Sequence, residues 1–199
     1  MTQTDLGATL PCPTPSPEQR RRMAVRRSAP AQALTTPGPS EAEIAEILQL
    51  GARTPDHGKL FPWRFVVLGP QSRADIAERL SALAVAQGLP GKARAVLAKL
   101  TAAPVTILVV STAAPGPKPV WEQELSAGAV CMNIEHAADA FGYSASWITD
   151  WYSYDAAAVA LFGVREGEKV AGFIHIGTSQ EPLLERPRPD LSALTTTLP

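Results

Sequence analysis

The sequence predicts an α+β fold, on three observations. Helical and strand patterns are interspersed along the chain with no regular βαβ repeat. Pro104 to Ser111 is a nearly unbroken apolar run of strand length, carrying Val105, Ile107, Leu108, Val109 and Val110. Residues 120–141 hold the longest helical pattern, and Gly142 stands where a helix ends in a left-handed residue. The 199 residues make one ordinary domain with room for a sizeable core. Hydrophobic residues at 45% and charged residues at 19% exclude a disordered chain. Lys plus Arg number 18 against 19 Asp plus Glu, so no global basic field exists to hold nucleic acid or an anionic membrane. No apolar run reaches the roughly 18 residues of a membrane span. Met1 to Pro17 lacks the charged start and apolar segment of a secretory signal, so a reducing cytoplasm is the expected compartment.

The elements follow from local signals. Of 19 prolines, seven precede residue 40, and residues 1–15 read as a flexible arm. Ser16-Pro17-Glu18 opens a helix that runs to about Arg27, with serine as cap, proline in the first turn and an acid at the positive end. Residues 28–39 read as a connector. Ser40 and Glu43 form a capping box, and Ile44, Ile47, Leu48 and Gly51 follow at helical spacing, which predicts a helix over 41–53. Phe65 to Leu68 is a buried strand. Ser72 with Asp75 starts a helix carrying Ile76, Leu80 and Leu83, and a second helical piece covers about 92–101. Pro115, Pro117 and Pro119 make a loop before the long helix. Tyr143 to Thr149 reads as a strand, Asp155 to Phe162 as a capped helix, and Val170 to Ile176 as the last core strand. Residues 178–199 are proline-punctuated and extended.

Four segments concentrate chemistry. Arg26-Arg27-Ser28 offers two guanidinium groups and a hydroxyl at a helix-to-loop junction, which suits a phosphate as well as it suits a solvated basic turn. Arg53-Thr54-Pro55-Asp56-His57-Gly58-Lys59 leads through Pro62 to Trp63, a proline-bracketed loop between a helix and a strand. Trp147-Ile148-Thr149-Asp150-Trp151-Tyr152 follows a strand and offers aromatics to flank a planar ring, with backbone amides for its polar edge; core packing is the plainer reading. Arg186-Pro187-Arg188-Pro189 is an extended tail that puts two arginines on one side. His136, His175 and Cys131 read as structural, and Glu122 and Glu124 as acids suited to a helix N-terminus. Cys12 and Cys131 have no metal-ligand spacing, and no phosphate-loop, dinucleotide, zincin or hydrolase signature is present.

In order and spacing these segments resemble the nitroreductase family of FMN-dependent oxidoreductases, in particular the smaller bacterial type. The likeness covers about residues 17–190. It rests on Arg26-Arg27-Ser28, Arg53-Thr54-Pro55-Asp56-His57, Pro62-Trp63-Arg64-Phe65-Val66-Val67, Trp121-Glu122-Gln123-Glu124-Leu125-Ser126-Ala127-Gly128 and Gly172-Phe173-Ile174-His175-Ile176-Gly177-Thr178. The resemblance implies a mostly antiparallel central sheet flanked by helices in a homodimer with FMN at the subunit interface. Residues 16–177 would form the FMN-binding domain and 178–199 an arm wrapping the partner subunit. Hydride from NADH or NADPH would pass to FMN, then electrons to a small-molecule acceptor such as a nitroaromatic or a quinone. By the same likeness Arg26, Arg27 and Ser28 would meet the FMN phosphate, joined by Arg186 or Arg188. Arg53, Pro55, Asp56, His57 and Lys59 would contact the flavin from the loop, and Trp147, Ile148 and Thr149 would run past the ring. No side-chain base is implied, because the hydride chemistry belongs to the flavin. Two rival readings stand beside it: an FMN protein without nicotinamide chemistry, and a non-catalytic interaction domain. One departure is notable. Relatives often carry arginine and glycine where this chain has Ile148 and Asp150, which sets an extra anion beside an anionic cofactor.

Overall fold

The structure, a computed structural model, describes residues 5–198. It comprises two compact units, one formed by the chain up to Arg27 with the chain from Glu181 onward, the other by Ser28–Gln180. Of the expected N-terminal arm, residues 1–4 lie outside the described residues, and 8–16 carry no helix or strand.

In the first unit, helix α1 (Pro17–Val25) starts as its sequence dictates. Ser16 accepts a hydrogen bond from the Gln19 amide, Pro17 occupies the first turn and Glu18 pairs with Arg21 at 2.7 Å. No residue of α1 is buried within it. The tail 181–190 has no regular element, and a single helical turn, Leu191–Leu194, follows the Asp190 cap.

The second unit is built on a five-stranded antiparallel sheet. Its strands are β1 (Leu34–Thr35), β2 (Trp63–Leu68), β3 (Val105–Ser111), β4 (Ser144–Ile148) and β5 (Lys169–Ser179). They lie in the order β1-β5-β3-β2, with β4 pairing the same side of β5 as β1, next along the strand. Ladder pairs such as Phe65 with Val109 and Leu108 with Phe173 set the register. The α+β class and the mostly antiparallel sheet are as expected.

The continuous apolar run of β3 has a simple cause: both faces of that strand are covered. Ile107 and Val109 join Ile174 and Ile176 on one face, under α2 (Glu41–Gly51) and α6 (Val120–Ala140). Leu108 and Val110 join Phe173 on the other, under α3 (Pro70–Ala86), α5 (Ala98–Ala102) and α7 (Ala156–Leu161). The capping box of α2 is complete, with Ser40 and Glu43 exchanging bonds at 3.3 and 2.8 Å. Helices α2 and α6 approach closely at Gly51, where a Cβ would lie 2.6 Å from Ile134 Cγ1. Helix α6 ends on Gly142 at φ +85°, the left-handed position that favours glycine.

Several local expectations need correction. Helix α3 starts at Pro70 behind Gly69, not at Ser72, because a proline at the first position carries the helical φ already; Asp75 instead accepts from the Gln71 side chain, through Nε2. The single piece expected over 92–101 is two short helices, α4 (Gly91–Ala95) and α5. Bonds to the third residue back, from Leu97 to Arg94 and from Leu100 to Leu97, tighten the junction and bury both leucines. The connector 28–39 holds a 3-10 turn, Ala31–Ala33, and the short strand β1. Strand β5 runs on to Ser179, past the expected end at Ile176.

A polar row crosses the second core. Thr106, His175 and Ser146 face one another on β3, β5 and β4, all buried. Thr106 Oγ1 lies 2.9 Å from His175 Nδ1. Burial, with help from the charges of Arg73 and Lys99, depresses the His175 pKa from 6.5 to about 4. A histidine kept neutral in the fold contributes stability above its unfolded pKa, and that contribution is lost as pH falls from about 6.5 to about 4. Urea titrations over this range should lose about 3 kcal/mol, and His175→Gln should flatten the slope. An equally steep slope in that variant would contradict the assignment.

Candidate functional site

One face of α6 grips the loop between α2 and β2. Asn133 donates to Thr54 Oγ1 at 2.7 Å, Ser126 donates to the Pro55 carbonyl at 2.6 Å, and Glu122 Oε2 lies 2.6 Å from His57 Nδ1. Residues 122, 126 and 133 are spaced by four and seven, so all three project from one side of the helix. Thr54 is tied in turn to the Gly51 carbonyl at the end of α2.

Beyond Pro55 the loop folds on itself. Both oxygens of Asp56 accept backbone amides, from Leu60 at 2.9 Å and from Phe61 at 3.0 Å. Gly58, Lys59 and Phe61 all take positive φ, at +98°, +59° and +49°. Such a conformation costs a non-glycine residue about 1–3 kcal/mol and persists only where surrounding contacts over-determine it. Trp63 anchors the far end, buried in the first core with Phe61 edge-on at 6.3 Å. The loop thus leaves Arg53, His57 and Lys59 exposed and commits Asp56 to its own shape. A shallow pocket of about 330 Å³ opens here, lined by Pro55, Asp56, His57, Glu122, Leu125 and Ser126 among others.

The end of β4 is equally fixed. Trp147 donates its backbone amide to buried Glu135 of α6 at 2.9 Å and its indole nitrogen to the Ala171 carbonyl at 3.1 Å. The indole lies on Gly172, where any Cβ would overlap it. Burial, with the charge of Glu135 one turn along α6 as the smaller cause, raises the Cys131 thiol to about 12, so that thiol stays protonated and unreactive. Ile148 is half-buried. Thr149 accepts from the exposed Tyr154 hydroxyl at 2.8 Å. Asp150 faces a cation: one oxygen caps the Trp151 amide and the other lies 3.0 Å from Lys99 Nζ. The extra anion is therefore neutralised within the fold.

In the first unit the two chain ends meet. Arg27 Nε donates to the Leu184 carbonyl at 2.8 Å, and Arg188 donates to the Arg26 carbonyl at 3.1 Å. Glu185 binds the Arg188 side chain and the Arg186 amide, and these bonds, the amide first, hold its carboxyl below the usual range. Ser28 belongs to the second unit and is half-buried.

The sequence alone assigns no site role to Glu122, Ser126, Asn133, Glu135 or Gly172. The first three left one signal, polar residues on a shared face of an alanine-rich helix. Glu124, read with Glu122 as a helix-end acid, pairs with Lys169 at 2.6 Å. Among the described residues no cluster of metal-ligating side chains occurs, and no helix is long and apolar enough to cross a membrane.

The profile of the nitroreductase family matches residues 23–178. The chain is 36% identical over 158 residues to YdjA of Escherichia coli K12, described as a candidate NAD(P)H nitroreductase, covering 78% of this chain and 85% of that protein. A nitroreductase-like family protein of Bacillus cereus shares the fold at a TM-score of 0.78 and 16% identity, over 94% of this chain and 99% of that one. A candidate nitroreductase of Desulfovibrio desulfuricans, crystallised with FMN, superposes at 0.71 with 22% identity, again over 94% and 99%. The family match and the relatives' description as NAD(P)H nitroreductases define an oxidoreductase scaffold. The chain belongs to the nitroreductase family.

The seat of Trp147 supplies a test. Gly172→Ala should displace the indole, shift its Nε1–H resonance and cost about 1–3 kcal/mol in chemical denaturation. An unmoved resonance with unchanged stability would contradict the packing described.

Proposed function

We propose that the protein is an FMN-dependent oxidoreductase that takes hydride from NADH or NADPH and reduces a nitroaromatic, quinone or similar acceptor by a ping-pong route, as a homodimer. Bound FMN supplies the hydride-accepting and electron-donating chemistry. The observation that carries this reading is the strained loop 54–61, because left-handed Lys59 and Phe61 are retained at a cost. Family membership and the FMN-bound relative of the same fold support it.

The residues present fit that cofactor. Arg26, Arg27, Arg186 and Arg188, all in the first unit, are a donor set of the type suited to a dianionic phosphate; the Ser28 hydroxyl, in the second unit, is a donor of the same use. Arg53, His57 and Lys59 offer exposed polar groups to the ring and ribityl chain. Pro55 and Asp56 contribute by shape, since the Pro55 carbonyl and both Asp56 oxygens are already engaged. Trp147 offers an edge held at three points, and Ile148 and Thr149 continue that wall. Trp121, Leu125 and Phe61 stand 66%, 53% and 62% exposed, which supports a partner subunit against the start of α6.

The test is spectroscopic. The purified protein should be yellow or take up FMN on mixing, and its flavin absorbance should bleach when NADH or NADPH is added without oxygen. Arg26→Ala should weaken FMN about ten- to a hundredfold, the loss expected for one charge-assisted bond. A protein that takes up no FMN, or a flavin that neither nicotinamide bleaches, would overturn the proposal.

A further inference from the structure

The His57–Glu122 pair has a property that its weak energetics do not explain. The two side chains are 53% and 45% exposed, and an ion pair this open adds little to stability. Yet the backbone that carries the ring is fixed on both sides, and Glu122 holds the ring itself. Pro55, two residues earlier, is fixed by Ser126, one turn along α6 from Glu122. Asp56 clamps the backbone on the other side of His57 through Leu60 and Phe61. Gly58 turns the chain away at φ +98°, where a Cβ would crowd Lys118 at 3.1 Å. The pair is therefore suited to orienting a ring rather than to stabilising the fold.

The 2.6 Å contact fixes its chemistry. An ionised carboxylate only accepts, so the hydrogen between Glu122 Oε2 and His57 Nδ1 belongs to the imidazole. A neutral His57 must then be the Nδ1–H tautomer, and its Nε2 carries a lone pair. We infer that Glu122 is a positioning residue that locks His57 in the Nδ1–H form and makes Nε2 a hydrogen-bond acceptor for a ligand N–H or O–H group. This separates His57 from Arg53 and Lys59, which can only donate. The ribityl hydroxyls and the imide N–H of FMN are donors of the required kind; that consequence rests on the function proposed above, whereas the tautomer does not.

Two measurements test it. Long-range nitrogen–proton NMR of the flavin-free protein at pH about 8.5, where an ordinary imidazole is neutral, should show His57 as Nδ1–H. Glu122→Ala should convert it mainly to the Nε2–H form that free imidazole side chains prefer. Finding Nε2–H in the unaltered protein, or the same tautomer in both proteins, would overturn the inference. FMN affinity then reports the consequence. Glu122→Ala should weaken FMN about two- to fivefold, and should add nothing in a His57→Ala background. Glu122→Gln, whose amide oxygen still accepts from Nδ1–H, should bind as the unaltered protein does. Equal losses from Glu122→Ala in both backgrounds would show that Glu122 acts independently of His57. Failure of the unaltered protein to bind FMN would count against the proposed function, while the NMR comparison would still decide the tautomer.

Discussion

The structure turns on the grip of α6 upon the loop that precedes β2. Three side chains on one helical face, Glu122, Ser126 and Asn133, hold His57, the Pro55 carbonyl and Thr54. The grip works because both sides are rigid. Helix α6 is fixed by its buried face against β3 and β5, and α2, from which the loop springs, lies close enough at Gly51 to touch Ile134. A loop attached at three points to a packed helix can hold left-handed residues that would otherwise relax. The same helix reaches the end of β4 through Glu135, which holds the Trp147 amide. The loop and the β4 end are therefore positioned by one element, and a shift of α6 would disturb both.

The sheet explains why that element can be rigid. Strand β3 is apolar on both faces, so α2 and α6 seal one side while α3, α5 and α7 seal the other. Polar residues inside this frame are partnered at some atoms, while Arg73 Nε, His175 Nε2 and the Tyr152 hydroxyl are buried without a hydrogen-bond partner among the described residues. Thr106 is bonded to His175, and buried Arg73 donates to the carbonyls of Leu100, Ala103 and Pro104 where α5 ends. Glu168 meets Arg64 at 2.5 Å, a bond that holds its carboxyl down at about 2. Asp150 is likewise paired, with Lys99.

What the sequence revealed was what local interactions control. The Ser40–Glu43 box, the glycine after α6 and the buried run of β3 are short-range signals, and each gave its element within a few residues. The nitroreductase likeness was legible because motif order survives along a single chain. Helix α3 was misplaced because Ser72 offers a cap as readable as the Gly69-Pro70 start, and only the end of β2 decides between them. The supports of the site were not legible. His57 meets Glu122 across 65 residues, Pro55 meets Ser126 across 71 and Thr54 meets Asn133 across 79. Glu122 looked like an acid placed for the helix dipole, since nothing nearby in sequence announces a histidine partner. Gly172 sits in a recognisable motif, but its reason, the indole lying on it, exists only after β4 and β5 pair.

The central claim is that α6 holds the loop in its strained form. Amide hydrogen exchange at Leu60 and Phe61 measures this directly, because both amides are bonded to Asp56 in a segment otherwise open to water. In the unaltered protein these two amides should exchange slowly. In a Ser126→Ala, Asn133→Ala double variant they should exchange faster, by about tenfold or more if each lost bond is worth the usual ~1 kcal/mol, while the amides of β3 keep their protection. Unchanged protection at Leu60 and Phe61 in that variant would mean that the loop holds its own shape and that α6 does not organise the site.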